Sequence, residues 1–245
     1  MKPYLSHSQI SMWQKCPRQY EYRYWKGLVL PPNVAMIQGS IYHKALELYF
    51  KSKMLGVSLS PDEFSDLFDT VWENYIKNGS SIDWTIDRGR AKDETNRVIE
   101  VYYRKLGASL NPALVEQRVK VNLDNSTYDF LGIIDLVLAE NQLADHKVVS
   151  RLMRQEDADK DNQATAYAFL AGGSIDFEYH IAIKGINPAI QIVKTQRTEN
   201  DITWWIDMAK GIAKQIQSGI APPNPNGWWC NPKWCGYWNL CKGYR

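Results

Sequence analysis

Two aspartates interrupt consecutive apolar, β-branched runs: Asp135 in "FLGIIDLVLAE" and Asp145 in "QLADHKVVS". A carboxylate inside such a run is costly to bury unless it is paired or binds a cation, so any fold of this chain must bring compensating charge to both. Residues two apart in a strand project to the same side of the sheet, which puts Asp145 and Lys147 into one space. If the chain turns back near Glu140, Asp135 lies on the adjacent strand, and two carboxylates converge beside an ammonium.

The flanking patterns give this pair its context. "SHSQISMWQKC" offers Ser6 or Ser8 as helix N-caps, and Pro17 suits the first turn of a second short helix through "YEYRYW". "IQGSIYHKALELYFKSKML" places Ile41, Ala45, Leu48 and Leu55 at helical spacing behind a Gly-Ser start. Further helices are predicted over 61–77 and about 83–106, with Asn78, Gly79, Ser80 and Ser81 as the break between them. "ALVEQRVKVNL", "STYDFLGIIDLVLAE" and "QLADHKVVS" then read as three antiparallel strands turning at Asp124-Asn125 and Glu140-Asn141. A helix over about 159–171 ends at Gly172-Gly173, strands "EYHIAI" and "AIQIVKT" follow, and a last helix runs from Glu199 or Asn200 to Ser218. This order predicts an α/β or α+β sandwich with a sheet covered on both faces.

Composition narrows the function classes. The 245 residues are 44% hydrophobic and 12% aromatic, enough for a substantial core in one domain with appendages or two small ones. A formal charge of +2 argues against a histone-like blanket of positive charge, so any nucleic acid must be held by a local groove. No run approaches the roughly 20 apolar residues that span a bilayer, and the N-terminus lacks the apolar core of a secretory signal. The expectation is a cytoplasmic protein without membrane contact, whose cysteines stay reduced.

Hard divalent cations such as magnesium and manganese take oxygen ligands and leave coordination positions for water and phosphate. A cation on Asp135 and Asp145 can polarise a phosphodiester and activate water, while Lys147 orients or deprotonates that water and offsets developing charge. The bland alternative is a structural salt bridge in a sheet, and D-x-K alone does not decide between them.

More of the chain bears on that choice. "GIIDLV", whose aspartate precedes that of "ADHKVVS" by ten residues, resembles the PD-(D/E)xK nuclease core, and "NQATAYAFL" supplies Gln163 and Tyr167 in the Q-x-x-x-Y arrangement of RecB-like members. These two residues share a helical face. The resemblance implies a restriction-endonuclease-like α/β fold with a mixed central sheet flanked by helices. It also implies that Asp135, Asp145, Lys147, Gln163 and Tyr167 form the catalytic set, and that His43 in "GSIYHKALE" and the backbone carbonyl of His146 join the two aspartates as metal ligands. Glu116 in "LVEQRV" stands where relatives often carry a glutamate and ranks second. Read without the resemblance, His43 is an ordinary hydrogen-bonded histidine, Glu116 a strand-edge charge, and Gln163 with Tyr167 a polar helix rim.

Cys16 stands alone near the N-terminus, whereas Cys230, Cys235 and Cys241 form C-x4-C-x5-C near the C-terminus. If all four share a site, both chain ends meet. Tetrahedral zinc is one candidate, although structural zinc usually draws on two close pairs. Four thiolates also suit an iron-sulfur cluster. "QKCPRQYEYRY" with "WWCNPKWCGYWNLC" resembles the iron-sulfur staple of RecB-like exonucleases, including the AddB nuclease domain and CRISPR-associated RecB-like nucleases, which implies a 4Fe-4S cluster. Those relatives commonly use C-x2-C-x5-C, so the wider first gap is a departure. Around the cysteines lie Trp228, Trp229, Trp234, Tyr237 and Trp238, with Tyr20, Tyr22, Tyr24 and Trp25. Most are expected to pack around the cluster. Some can stack unpaired bases, with Lys15, Arg18, Arg23 and Lys26 on phosphates.

The expectation is therefore one nuclease domain over 1–245, with a helical insertion over 51–108 and a staple formed by Cys16 and residues 228–245. Its implied activity is Mg- or Mn-dependent hydrolysis of DNA, as an exonuclease on single strands or ends, in recombination, repair or CRISPR spacer acquisition. Implied partners are DNA and proteins of a recombination or CRISPR complex, in a prokaryotic, archaeal or phage-like setting. A non-catalytic iron-sulfur DNA-binding or assembly protein on the same fold is the alternative.

Overall fold

The structure is a computed structural model that describes residues 3–78, 82–123, 126–139, 142–173 and 175–243. It begins with β1 (Tyr4–Leu5), α1 (His7–Lys15), α2 (Pro17–Tyr20), α3 (Val34–Met54), α4 (Pro61–Asn78) and α5 (Arg88–Tyr102). Strands β2 (Leu114–Asn122), β3 (Asp129–Ala139) and β4 (Gln142–Val149) follow, then α6 (Gln155–Lys160) and α7 (Asn162–Ala171). The order closes with β5 (Ile175–Ile183), β6 (Ala189–Arg197), α8 (Glu199–Gln217) and α9 (Trp238–Lys242). The predicted turns at Gly79 to Ser81, Asp124-Asn125 and Glu140-Asn141 lie outside the described residues.

The sheet is mixed, with strand order β1-β3-β4-β5-β6 and β2 also paired to β3. β4 pairs antiparallel with β3 and parallel with β5, and β5 pairs antiparallel with β6. The parallel β4–β5 pair requires a crossover, which α6 and α7 supply. The expected α/β fold, with a mixed sheet flanked by helices, is what the chain adopts.

Several boundaries differ from the sequence reading for local reasons. α3 begins before Gly39-Ser40, because the Asn33 side chain accepts the Met36 N–H at 3.0 Å and caps the helix earlier. The helix predicted over 83–106 starts at Arg88, where Asp87 Oδ1 accepts Arg90 N–H at 2.9 Å, and it widens into a π-type turn over Tyr103–Gly107. The helix predicted over 159–171 is two helices, broken at Asp161, whose extended backbone and side chain cap α7. Gly172 ends α7 in the left-handed region at φ 86°, as expected for a C-terminal glycine.

By contact density the chain divides into two compact units. One comprises Pro31–Val119 and Ile133–Glu199. Its core joins Ile41, Tyr42, Leu46, Phe50, Phe64, Phe68 and Trp72 from α3 and α4 to Val98, Ile99 and Tyr102 from α5, and to Leu136, Ala144 and Ala182 from the sheet. Lys53 Nζ donates to the carbonyls of Gly107, Ala108 and Leu110 at 3.2, 2.6 and 2.8 Å, satisfying groups that the end of α5 leaves open.

The other unit comprises Met1–Leu30, Lys120–Gly132 and Asn200–Arg245. There β1 pairs parallel with the start of β3, Tyr4 opposite Asp129 and Leu5 opposite Phe130. Trp13 Nε1 donates to Gln215 Oε1 at 2.8 Å, tying α1 to α8, and Phe130 meets the Trp205 ring edge-on at 4.8 Å. Tyr237 donates its hydroxyl to the Leu28 carbonyl at 2.6 Å, which fastens the C-terminal segment to the N-terminal one.

Candidate active site

The β3–β4 ladder pairs Leu136 with Ala144 and Val137 with Leu143, and the same register taken one residue further sets Asp135 opposite Asp145. Opposed residues of antiparallel strands have Cβ atoms about 4.5–5.5 Å apart, so the two carboxylates are neighbours. Both are buried, at 6% and 2% exposure.

Asp135 Oδ2 accepts the His146 backbone N–H at 2.8 Å and lies 3.2 Å from His43 Nδ1 and 3.6 Å from His146 Nδ1. The ligand atoms of His43, Asp135 and His146 all fall within 4.8 Å of one another. Burial opposes the charged His43 imidazole, but the Asp135 hydrogen bond and the charges of Asp135, Asp145 and Glu116 prevail and push it up to about 9. His146, wholly enclosed, falls to about 4 and stays neutral despite the neighbouring Asp135. Burial works against the Asp135 carboxylate, yet hydrogen bonds and charge from His146 and His43 hold it below the ordinary range.

The second carboxylate is clamped from α7. Gln163 Nε2 donates to Asp145 Oδ1 at 2.7 Å, and the Tyr167 hydroxyl approaches the same oxygen at 3.4 Å. Lys147 Nζ donates to Gln163 Oε1 at 2.5 Å and stands 3.2 Å from Asp145 Oδ2, 5.1 Å from the centre of the Tyr179 ring. Burial opposes the Lys147 charge, but Asp145 and Asp161 more than offset it, so the amine stays protonated. Burial raises Asp145, with Asp135 adding to the rise and Lys147 working against it. Asp145 Oδ2 is closed to solvent, and the Lys147 ammonium 3.2 Å away offsets its charge.

The α6–α7 joint sets the reach of Gln163. Asp161 Oδ1 accepts the Gln163 N–H at 2.9 Å. Arg197, 4% exposed, donates to the carbonyls of Ala158 and Asp161 at 2.8 and 3.0 Å and to Thr165 Oγ1 at 2.8 Å. Neither Asp161 nor Arg197 entered the sequence reading. Asp161 carries a capping signal that the expectation of one continuous helix concealed.

Glu116 on β2 has φ 50°, a left-handed backbone that costs a non-glycine residue of order 1–3 kcal/mol. Burial first, then the charge of Asp135, raises its carboxyl to about 7, with His43 opposing. The structure thus brings His43, Glu116, Asp135, Asp145, His146, Lys147, Gln163 and Tyr167 into one electrostatic neighbourhood. The His146 ring is part of it, which the assignment of the backbone carbonyl alone did not foresee.

The chemistry of this donor set fits a divalent cation. His43, Asp135 and His146 present ligand atoms spaced for a shared ion, and the buried Asp145 carboxylate lies on the neighbouring strand.

Elsewhere, Cys16, Cys230, Cys235 and Cys241 all line one small cavity, together with Gln19, Asn224 and Trp229. Gln19 Nε2 donates to Cys235 Sγ at 3.3 Å, the Asn224 N–H donates to Cys16 Sγ at 3.4 Å, and among the described residues the buried Trp229 indole N–H has no partner. Donors aimed at sulfur suit thiolates that hold a cluster. Among the described residues, no three of these thiols come within 4.8 Å of one another. Tetrahedral zinc, with bonds of about 2.3 Å, needs sulfurs about 3.8 Å apart.

The family model for the PD-(D/E)XK nuclease superfamily matches residues 4–242. A solved structure described as a "putative exonuclease" from Eubacterium rectale superposes with a TM-score of 0.65 at 13% identity, covering 100% of this chain and 89% of that one, a likeness of fold. A second, SSO0001, gives a TM-score of 0.42 at 14% identity, covering 100% and 88%, and carries no argument. No curated protein matches the sequence.

Proposed function

Because this chain belongs to the PD-(D/E)XK nuclease superfamily, we propose that it is a divalent-metal-dependent deoxyribonuclease of the RecB-like kind, an exonuclease acting on single-stranded DNA or DNA ends. One observation carries the reading: buried Asp145, gripped by Gln163, Tyr167 and Lys147, lies opposite Asp135, which shares an ion-sized space with His43 and His146. Asp135 and Asp145, with His43 and His146, would hold Mg2+ or Mn2+. When bound, such an ion polarises a phosphodiester and lowers the pKa of water.

The protein's own groups do the rest. Lys147, protonated, orients the attacking water and offsets charge gathering on the phosphate, a role of charge rather than of proton abstraction. Gln163 bridges Lys147 and Asp145 through its two amide atoms, so both side chains keep one geometry. Tyr167, held neutral by burial, donates to Asp145 without adding charge. Glu116 tunes the field at His43 and Asp135.

We further propose that the four cysteines hold a 4Fe-4S cluster in a structural role. Donors aimed at Cys235 and Cys16 sulfur suit thiolate ligands, and C-x4-C-x5-C lacks the two close pairs usual for structural zinc. Recombination, repair and CRISPR spacer acquisition are the pathways such a nuclease serves, with protein partners drawn from those complexes. The activity class is tested by incubating anaerobically purified protein with Mn2+ and end-labelled or circular DNA. Linear DNA is expected to be degraded and covalently closed single-stranded circles spared; cutting of circles at the same rate overturns the exonuclease assignment.

A further inference from the structure

Behind the site runs a buried chain of polar groups that the catalytic roles leave unused. Glu178 Oε2 lies 3.2 Å from His180 Nε2, His180 Nδ1 lies 3.3 Å from the Tyr102 hydroxyl, and that hydroxyl lies 2.8 Å from His146 Nε2. Tyr102 and His180 are fully closed to solvent. The parallel β4–β5 register sets His146 beside His180.

We propose that His146 is a cation ligand through its ring Nδ1, and that Tyr102, His180 and Glu178 are positioning residues that fix the tautomer presenting that nitrogen. The inference rests on the metal-dependent reading above and deepens it.

The polarity of the chain follows from its outer end. Glu178 carries its charge against Lys194 Nζ at 2.8 Å and takes Gln142 Nε2 at 3.1 Å, so its remaining oxygen can only accept, and His180 Nε2 must donate. The proposed chain has His180 singly protonated, so that Nδ1 accepts the Tyr102 proton. The Tyr102 oxygen in turn accepts from His146 Nε2–H, which leaves His146 Nδ1 as a bare lone pair. That nitrogen faces Asp135 Oδ2 at 3.6 Å, and Asp135 Oδ2 already accepts the His146 backbone N–H. Two lone pairs facing each other in a buried space are reconciled by a cation between them.

The ring cannot turn away from this task. It stacks on Phe50 at 6.4 Å with an interplanar angle of 11° and meets Tyr102 and Tyr42 edge-on at 5.3 and 6.2 Å. Groups that orient a ligating histidine through its other nitrogen are worth ten- to hundredfold in metal affinity, by roughly the usual measure.

The test uses the whole chain with its cluster, titrated with Mn2+ by calorimetry, and long-range 1H–15N spectra of the metal-free protein. Tyr102→Phe, which removes only the hydroxyl, is expected to weaken Mn2+ binding about ten- to hundredfold while the melting temperature moves by a few degrees at most. The wild-type spectrum should place the His146 proton on Nε2. A proton on Nδ1, or wild-type affinity in Tyr102→Phe, overturns the proposal, and the spectrum decides if the variant does not fold. Wild-type protein that binds Mn2+ and cleaves DNA with His146 protonated on Nδ1 sinks the relay alone. Wild-type protein that binds no Mn2+ sinks the nuclease reading with it.

Discussion

His43 Nδ1, 3.2 Å from Asp135 Oδ2, keeps a proton that the proposed cation would have to displace. Its pKa stands at about 9, above the ordinary value of 6.5. The proton is therefore held throughout the range below about 9, and apparent affinity for Mn2+ is expected to rise as pH increases from 6.5 to 9, by up to about tenfold per unit, then level off. Below about 7 Glu116 also takes up a proton and steepens the dependence. Calorimetry across this range checks it, with His43→Ala expected to flatten the upper segment; an affinity indifferent to pH in the wild type contradicts the role of His43. At this scale much of the neighbourhood was legible. Asp145 with Lys147 obeys the two-residue repeat of a strand, and Gln163 with Tyr167 the four-residue repeat of a helix, both local rules. Tyr102 and His180 reach His146 only because α5 packs on the sheet and β5 pairs with β4, and no local spacing encodes that.

Elements were legible in kind and misjudged at their ends. Gly39-Ser40 resembles a helix start, but Asn33 caps earlier and leaves the glycine inside α3. Asp161 divides what hydrophobic pattern alone joins, and Arg197, distant in sequence, holds the two helices at their joint. Cys16 and the three C-terminal cysteines, expected to meet only if they share a site, line one cavity. A bridge between Cys16 and Cys230 closes most of the chain into one loop, worth on the order of 5 kcal/mol by chain-entropy reasoning. Cys235→Ser is accordingly expected to lower the melting temperature by roughly 10 °C or more and to bleach visible absorption, as followed by calorimetry and spectroscopy. A colourless variant that melts with the wild type contradicts a structural cluster.

For the molecule as a whole, a mixed sheet flanked by helices sets two acidic strands side by side and lets α3 and α7 bring side chains to them. None of the described helices is long and apolar enough to cross a membrane. The family match spans 4–242, so the relationship extends to both terminal segments as well as the sheet. The central claim is that Asp145 serves a cation rather than a salt bridge. Asp145→Asn keeps the shape and a partner for Gln163 while removing the charge. Cleavage of end-labelled linear DNA in Mn2+ measures the difference: the account expects the wild type to cut, chelation to stop it, and Asp145→Asn to lose at least about a hundredfold in rate, several kcal/mol of barrier, with DNA binding retained. Cleavage by Asp145→Asn at the wild-type rate would contradict it.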